Sequence, residues 1–463
     1  MPLSDIDLYD RVDSEAYTKE NIAISKMLHS HSTKSISELS KLDASAFYPA
    51  ATELYQIGNI PFIRCVDCIN YLHISKRQEE LFERIPEFFI RANKSIATLT
   101  QGDIVITKVG SPCYASLVGE DYSYVALSRT VLGLKNIVGI NPAYLTVFLR
   151  SFFGFKQLLR ARELTIQYQL TLDRVRNIDV FIPSMQFQIN IERAFYSAMQ
   201  IDSNSESIYK EAEQLLLQEL GLTNWQPTNQ NNNTKTFAES FLNTGRFDAE
   251  YYQPKYDEVE NRIKLYENGF CELKDIIQEY STGYPFESDI YVNSGVALIR
   301  ISNIKRGHLD TDNTQRIPIE STLLSKKDIV KENDILLSMS GTIGNCCVVP
   351  KGIEAIINQR ILKFSIKDFN PNVLSLLVNS PVGQMQLNRV GTGGVQTNIS
   401  VSDIFQILIP RISMDVQKLI AERIQNSFVL KEQSKELLER AKRAVEIAIE
   451  QNEEVALKYL EEV

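Results

Sequence analysis

Tryptophan occurs once, histidine four times and cysteine six times in 463 residues, and each scarcity removes a class of protein. Six cysteines (Cys65, Cys68, Cys113, Cys271, Cys346, Cys347) in so long a chain predict reduced thiols rather than a disulfide framework. Cys65 and Cys68 have zinc-ligand spacing, yet no second ligand pair accompanies them, and the histidines (His29, His31, His73, His308) form no HExxH. No metal site is therefore expected, and the two cysteines read as strand residues in a core. No Gly-Lys dipeptide exists, which excludes a Walker P-loop and the motor it would drive. Glu272-Leu-Lys274 stands alone, without the clustered carboxylates a nuclease needs. Long hydrophobic runs are also missing. The longest, Tyr144 to Phe155, is interrupted by Arg150 and falls short of the roughly 20 residues of a membrane span. The opening MPLSDIDLYD is acidic and lacks an apolar segment, so no signal peptide is expected and the cytoplasm is the expected compartment.

What is present is ordinary globular composition, 44% apolar and 23% charged, in a length of about three domains at roughly 150 residues each. The net charge of -9 argues against a polyanionic partner only until it is located. Residues 31–185 hold 17 Lys+Arg against 14 Asp+Glu, residues 271–412 hold 14 against 14, and the remainder holds 18 against 30. A near-neutral block can bind phosphate if its cations share one face.

The chain repeats itself. RVDSEAY (11–17) aligns with RFDAEYY (246–252) at an offset of 235, PFIRCVDC (61–68) with ALIRISNI (297–304) at 236, and GDIVITKVG (102–110) with NDILLSMSG (333–341) at 231. Arg129 then falls on Arg360. NPAYL (141–145) aligns with NPNVL (370–374) at 229, and QLTLDRVRNIDVFIP (169–183) with QTNISVSDIFQILIP (396–410) at 227. Ordered matches at nearly constant offset indicate tandem duplication. Each copy has short Ile/Val/Leu-rich strands, a helix after NP, a further strand (Val180 to Ile182; Ile407 to Ile409) and a long helix. The last helix carries an apolar seam at Leu438, Ala441, Val445, Ala448, Asn452 and Val455, and the first a weaker one at Ile208, Ala212, Leu215 and Leu222 broken by Glu219. Two such seams are best buried against each other. The Asn-rich stretch Thr223 to Thr236 reads as a linker.

This pattern resembles the specificity subunit of type I DNA restriction-modification enzymes. The resemblance covers essentially the whole chain, most specifically RFDAEYYQPKY, the NDI strand running into MSGTIGN, the NQR strand at Asn358 to Arg360, GTGGVQTNIS (391–400) and IPRISMDVQKLIAERI. It implies an α/β fold with two tandem target-recognition domains, each followed by a long helix, the helices pairing as an antiparallel coiled coil that fixes the gap between two DNA half-sites. The expected segments are 1–185 (first recognition domain), 186–222 (central helix), 223–236 (linker), 237–412 (second recognition domain) and 413–463 (C-terminal helix). A helix of about 37 residues would extend roughly 55 Å. The resemblance further implies a non-catalytic, sequence-specific binder of double-stranded DNA with no cofactor of its own. S-adenosylmethionine would reside on partner methyltransferase subunits, two in number. Whether a restriction or translocase subunit joins them is left open. The first copy departs from the pattern, with ARELTIQY (161–168) in place of GTGGVQTN.

Two other readings compete: a self-sufficient restriction or methylation enzyme, and a repeat scaffold that binds only protein. NPAY (141–144) resembles the Asn-Pro-Pro-Tyr loop of adenine methyltransferases, but its duplicate NPNV has no aromatic residue, and a helix start is the better reading. Gly391-Thr-Gly393-Gly394 follows a helical stretch, which is wrong for a dinucleotide fold but suits a loop that approaches DNA closely.

Arginines at equivalent places, Arg64 with Arg300 and Arg129 with Arg360, are expected to anchor phosphate or close structural pairs, because domains that read different bases need not share their readers. Candidate readers lie beside turns where the copies differ: Lys108, Ser111, Tyr114, Gln167 and Tyr168 in the first, and Asn303, Lys305, Arg306, Thr342, Asn345, Gln396 and Asn398 in the second. Amide and guanidinium groups suit bidentate contacts to adenine and guanine.

Overall fold

The computed structural model describes residues 16–110, 113–163, 169–230, 232–312, 314–391 and 398–461. It divides into two compact units, one formed by the chain up to Asn204 together with Val429 onward, the other by Ser205–Phe428. Both are mixed α/β. Among the described residues no helix is long and apolar enough to cross a membrane.

In the first unit, strands Ile104–Thr107, Ala115–Val118 and Val131–Lys135 belong to a five-stranded sheet, and Ile60–Ile63 and Val125–Leu127 to a four-stranded one. In the second, Ile335–Ser338, Cys346–Val348 and Ile361–Ile366 lie in a four-stranded sheet, and Val296–Ile299 and Ala355–Ile357 in a three-stranded one. Ile104–Thr107 and Ile335–Ser338 are buried at every position, which is why these strands read as continuous apolar runs rather than alternating ones.

Hydrogen bonds at the ends of the central strands match between the two copies, and they correct the register read from sequence. Ser128 N donates to Ile63 O and Asn358 N to Ile299 O, while Val131 pairs with Thr107 and Ile361 with Ser338. Ser128 is therefore the counterpart of Asn358, Arg129 of Gln359, and Thr130 of Arg360, so the two arginines are not equivalent. Further on, Leu170 N donates to Lys108 O and Ile399 N to Met339 O, which sets Gln169 opposite Asn398 rather than Gln396. Offset matching placed identical letters together, whereas register is fixed by backbone pairing.

Asn141 and Asn370 cap the helices Pro142–Arg150 and Pro371–Asn379 with their side chains, each followed by proline at the first helical position, where its missing N–H costs nothing. Tyr144 is fully buried and donates from its hydroxyl to Phe181 O at 2.9 Å, so its ring belongs to the core and has no face for a flipped base. Cys65 and Cys68 lie on the helix Cys65–Asn70, not on a strand. Burial pushes the thiols of Cys113 and Cys346 up to about 12, so neither is a thiolate at neutral pH. Among the described residues no cluster of metal-binding side chains exists.

The long helices are Met185–Glu219 and Met414–Glu450, and each unit takes a stretch of both. Their antiparallel pairing rests on more than an apolar seam. In the second unit, Ser205 Oγ donates to Ser427 O at 2.9 Å and Ser427 Oγ to Ser205 O at 2.8 Å, and in the first, Ser434 Oγ donates to Ala198 O at 2.8 Å. Small hydroxyls that satisfy themselves on a facing backbone let helices approach closely. Ala441, Val445 and Ala448 pack into the core of the first copy. Residues 413–463 do not form one helix: the segment breaks after Glu450, and Asn452 Oδ1 accepts from Val455 N at 3.0 Å to start Glu453–Glu461. The seam therefore stops before Asn452 and Val455. The spacer segments also do not partition by sequence order, since 205–222 packs with the second copy and 429–461 with the first.

Each long helix is joined to the α/β copy that precedes it by one buried glutamine. Gln188 accepts from Asn141 N at 2.8 Å and donates to Pro183 O at 3.0 Å, and Gln417 accepts from Asn370 N and donates to Ile412 O, both at 2.7 Å. Both are 2% exposed. Replacing Gln417 with Leu strands one buried donor and one buried acceptor, each costing about 1–3 kcal/mol. Q417L should lower the urea midpoint of the cooperative unit by the equivalent of about 2–4 kcal/mol, while Q425L at an exposed site of the same helix should shift it by no more than about 0.5 kcal/mol. Equal midpoints for the two variants would refute this role.

Candidate nucleic-acid interface

The loop cluster at the ends of the central strands is the same frame in both copies, furnished differently. Ser338 N donates to Asn345 O while its hydroxyl accepts from Asn345 N at 3.0 Å, and Thr107 does the same with Tyr114, whose N reaches Thr107 Oγ1 at 2.9 Å. The turns between them use Gly341 (φ +73) and Gly344 (φ +78) in one copy and Gly110 (φ +85) and Cys113 (φ +83) in the other, left-handed backbone that favours glycine. Asn345 and Tyr114 thus occupy one structural position with different chemistry.

In the second copy the turn preceding strand Ile361–Ile366 brings several candidates together. Arg360 is exposed, and its backbone is left-handed at φ +67. Its carbonyl accepts from Met339 N at 3.0 Å, and its Nη1 donates to Ser340 Oγ at 3.2 Å and Asn398 Oδ1 at 3.3 Å. Ser340 and Asn398 also form a β-bridge. Beside them, Asn345 Nδ2 donates to Ile304 O at 3.2 Å and Gly307 N to Cys346 O at 2.9 Å, which seats the turn carrying Lys305 and Arg306 against the same strand. Lys305, Arg306 and Thr342 are exposed. Asn303 is not available as a reader: it is 1% exposed, and its amide accepts from Arg300 N at 2.9 Å and donates to Asp310 O at 3.1 Å.

In the first copy, Arg129 lies over the rings of Phe47 and Tyr48, at 5.6 and 5.1 Å, and Phe47 is 82% exposed. Lys108 N donates to Thr130 O at 2.8 Å, which places Lys108 beside that turn. Tyr114 is half-buried under the Arg150 guanidinium at 4.8 Å. Arg150 itself donates to Ala115 O and Cys68 O, and burial holds its pKa down at about 10. Ser111, Gln167, Tyr168 and Gln396 lie outside the described residues.

Partnership separates structural cations from those free to meet phosphate. Arg64 is committed to Glu83 at 3.2 Å and to Asp67 at 3.6 Å. Its counterpart Arg300 begins the short helix Ile301–Asn303 as Arg64 begins Cys65–Asn70, and its Nε is buried with no hydrogen-bond partner among the described residues. Lys108, Arg129, Lys305, Arg306 and Arg360 form no ion pair among the described residues. The RFDAEYY segment, a repeat marker and also part of the family resemblance, has a structural role: the guanidiniums of Arg246 at 4.5 Å and Arg389 at 4.6 Å lie over the Tyr251 ring, and Arg389 binds Asp257 and Glu260. Arg246 Nη1 also donates to Val390 O at 3.2 Å, which fixes the end of the helix Pro381–Val390 just before the glycine-rich segment.

A family model for the type I restriction modification DNA specificity domain matches residues 267–440. The chain is 27% identical over 139 residues to the EcoBI specificity subunit of Escherichia coli, an alignment covering 30% of this chain and 29% of that protein. It is 26% identical over 183 residues to the MjaVIII specificity subunit of Methanocaldococcus jannaschii, covering 37% and 43%. The alignments thus span less than half of either relative. The crystal structure of a type I restriction-modification S subunit from M. genitalium is similar with a TM-score of 0.36 and 10% identity, over 93% of this chain and 95% of that one. Over residues 267–440 the chain is therefore similar to the type I restriction modification DNA specificity domain.

Proposed function

We propose that this chain is the sequence-recognition subunit of a type I restriction-modification system: it binds double-stranded DNA at a split, asymmetric target and directs partner methyltransferase subunits, two in number, to that target in the cytoplasm. Catalysis and S-adenosylmethionine belong to those partners. The observation that carries this reading is one hydrogen-bonded frame built twice with different side chains at matching positions: Tyr114 against Asn345, Arg129 against Gln359, and Thr130 against Arg360. Identical frames with different edges suit two different half-sites read by one chain, because phosphate contacts position a domain while base edges specify it. The cations that form no ion pair among the described residues, Lys108 and Arg129 in one copy and Lys305, Arg306 and Arg360 in the other, supply the positive charge that contact with DNA requires.

Two outcomes follow. The purified chain with S-adenosylmethionine alone should transfer no methyl groups to DNA, and adenine methylation should appear when the methyltransferase subunit is added; robust transfer by the isolated chain would overturn the reading. Exchange of residues 31–185 for the equivalent domain of a relative should change one half of the methylated sequence and leave the other half intact, as read by genome-wide mapping of methylated adenines. A change in both halves would refute independent reading by the two copies.

A further inference from the structure

The corrected register separates Arg360 from the arginines that the two copies share. Its counterpart Thr130 places its hydroxyl 2.7 Å from Ser128 Oγ and accepts from Cys65 N at 3.3 Å, a purely local role. Backbone phosphate presents the same groups to both copies, so a shared anchor is expected at a shared position. A cation present in only one copy is suited to what differs between half-sites, which is base sequence.

The geometry points to Arg360 as the specificity-determining residue of the second copy, reading a guanine in the major groove. This rests on the reading of the chain as a DNA-recognition subunit. Three observations carry it. The residue holds a left-handed φ of +67, a region that side-chain-bearing residues rarely occupy and that persists where the surroundings impose it. The surroundings do so here through the bond from Met339 N to its carbonyl and the strand that begins at Ile361. The guanidinium is restrained rather than free, since Nη1 is shared between the 1%-exposed Ser340 and Asn398. Nε and Nη2 have no partner among the described residues, and the residue is exposed. A planar fork with one corner tied and the other edge open matches the O6 and N7 acceptors of guanine. A phosphate anchor gains less from such restraint, because a point charge would serve it.

Lysine keeps the charge and loses the fork, so R360K separates the two roles. The full assembly with its methyltransferase subunits is titrated with a duplex carrying the mapped methylated sequence and with duplexes altered at each base pair of the second half-site, across a range of salt concentrations. R360K should lose discrimination of about ten- to a hundredfold at one G·C pair, the range of a single bidentate contact, with every other position and the salt slope unchanged. N398A should lose part of the discrimination at that same pair. R360G adopts the turn without strain, so it should fold at least as stably as the parent and lose the same discrimination. Full discrimination by R360K at every pair would overturn the assignment. So would R360G binding cognate and non-cognate DNA equally more weakly, with a salt slope lower by about 1 and discrimination intact, which is the behaviour of a phosphate anchor. Failure of the parent assembly to prefer any sequence would remove the underlying reading instead, and is seen before any variant is tested.

Discussion

Each α/β copy depends on a buried glutamine amide at the start of the long helix that follows it. Gln188 and Gln417 each satisfy a helix-capping asparagine backbone N–H and a carbonyl just before the long helix. An amide can do this because it carries a donor and an acceptor on one planar group, and burial makes any lapse costly. A second pair repeats the device: Gln157 and Gln386 accept from Asp179 N and Leu408 N and donate to Asp179 O and Leu408 O. The strand, the NP helix and the long helix of each copy are thereby held in one arrangement by side chains that never reach the surface.

That rigidity frees the loops. The turns at Gly110 to Tyr114 and Gly341 to Asn345 keep the same main-chain bonds to Thr107 and Ser338, so the residues between and beside them can change without disturbing the core. Variation concentrates where the frame already satisfies the backbone, and those positions carry Tyr114, Arg129 and Phe47 in one copy and Asn345, Arg360 and Asn398 in the other.

Electrostatics follow the same division. A chain of net charge -9 can meet a polyanion because its acidic groups neutralise particular cations and leave others alone. Arg389 is consumed by Asp257 and Glu260, and Arg64 by Glu83. The loop cations Lys305, Arg306 and Arg360 form no ion pair among the described residues, and at separations beyond a Debye length of about 8 Å the acidic remainder is largely screened.

The sequence by itself determined the duplication, the α/β character of each copy, the capped helix after NP, and the glycine turns beside the central strands, because apolar periodicity, capping residues and glycine turns are local signals written in order along the chain. Only the tertiary structure decided which residues are equivalent. Arg129 and Arg360 look paired as letters, yet strand pairing sets them one position apart, and register is a property of two strands rather than one. Tertiary structure likewise turned Asn303 from a surface amide into a buried cap, closed Tyr114 under Arg150, broke the last helix at Asn452, and returned residues 429–461 to the first copy. The position of Tyr114 and the placement of residues 429–461 depend on partners distant in sequence, which no local pattern records, whereas the bonds of Asn303 and Asn452 span three to seven residues and show only once the backbone is folded.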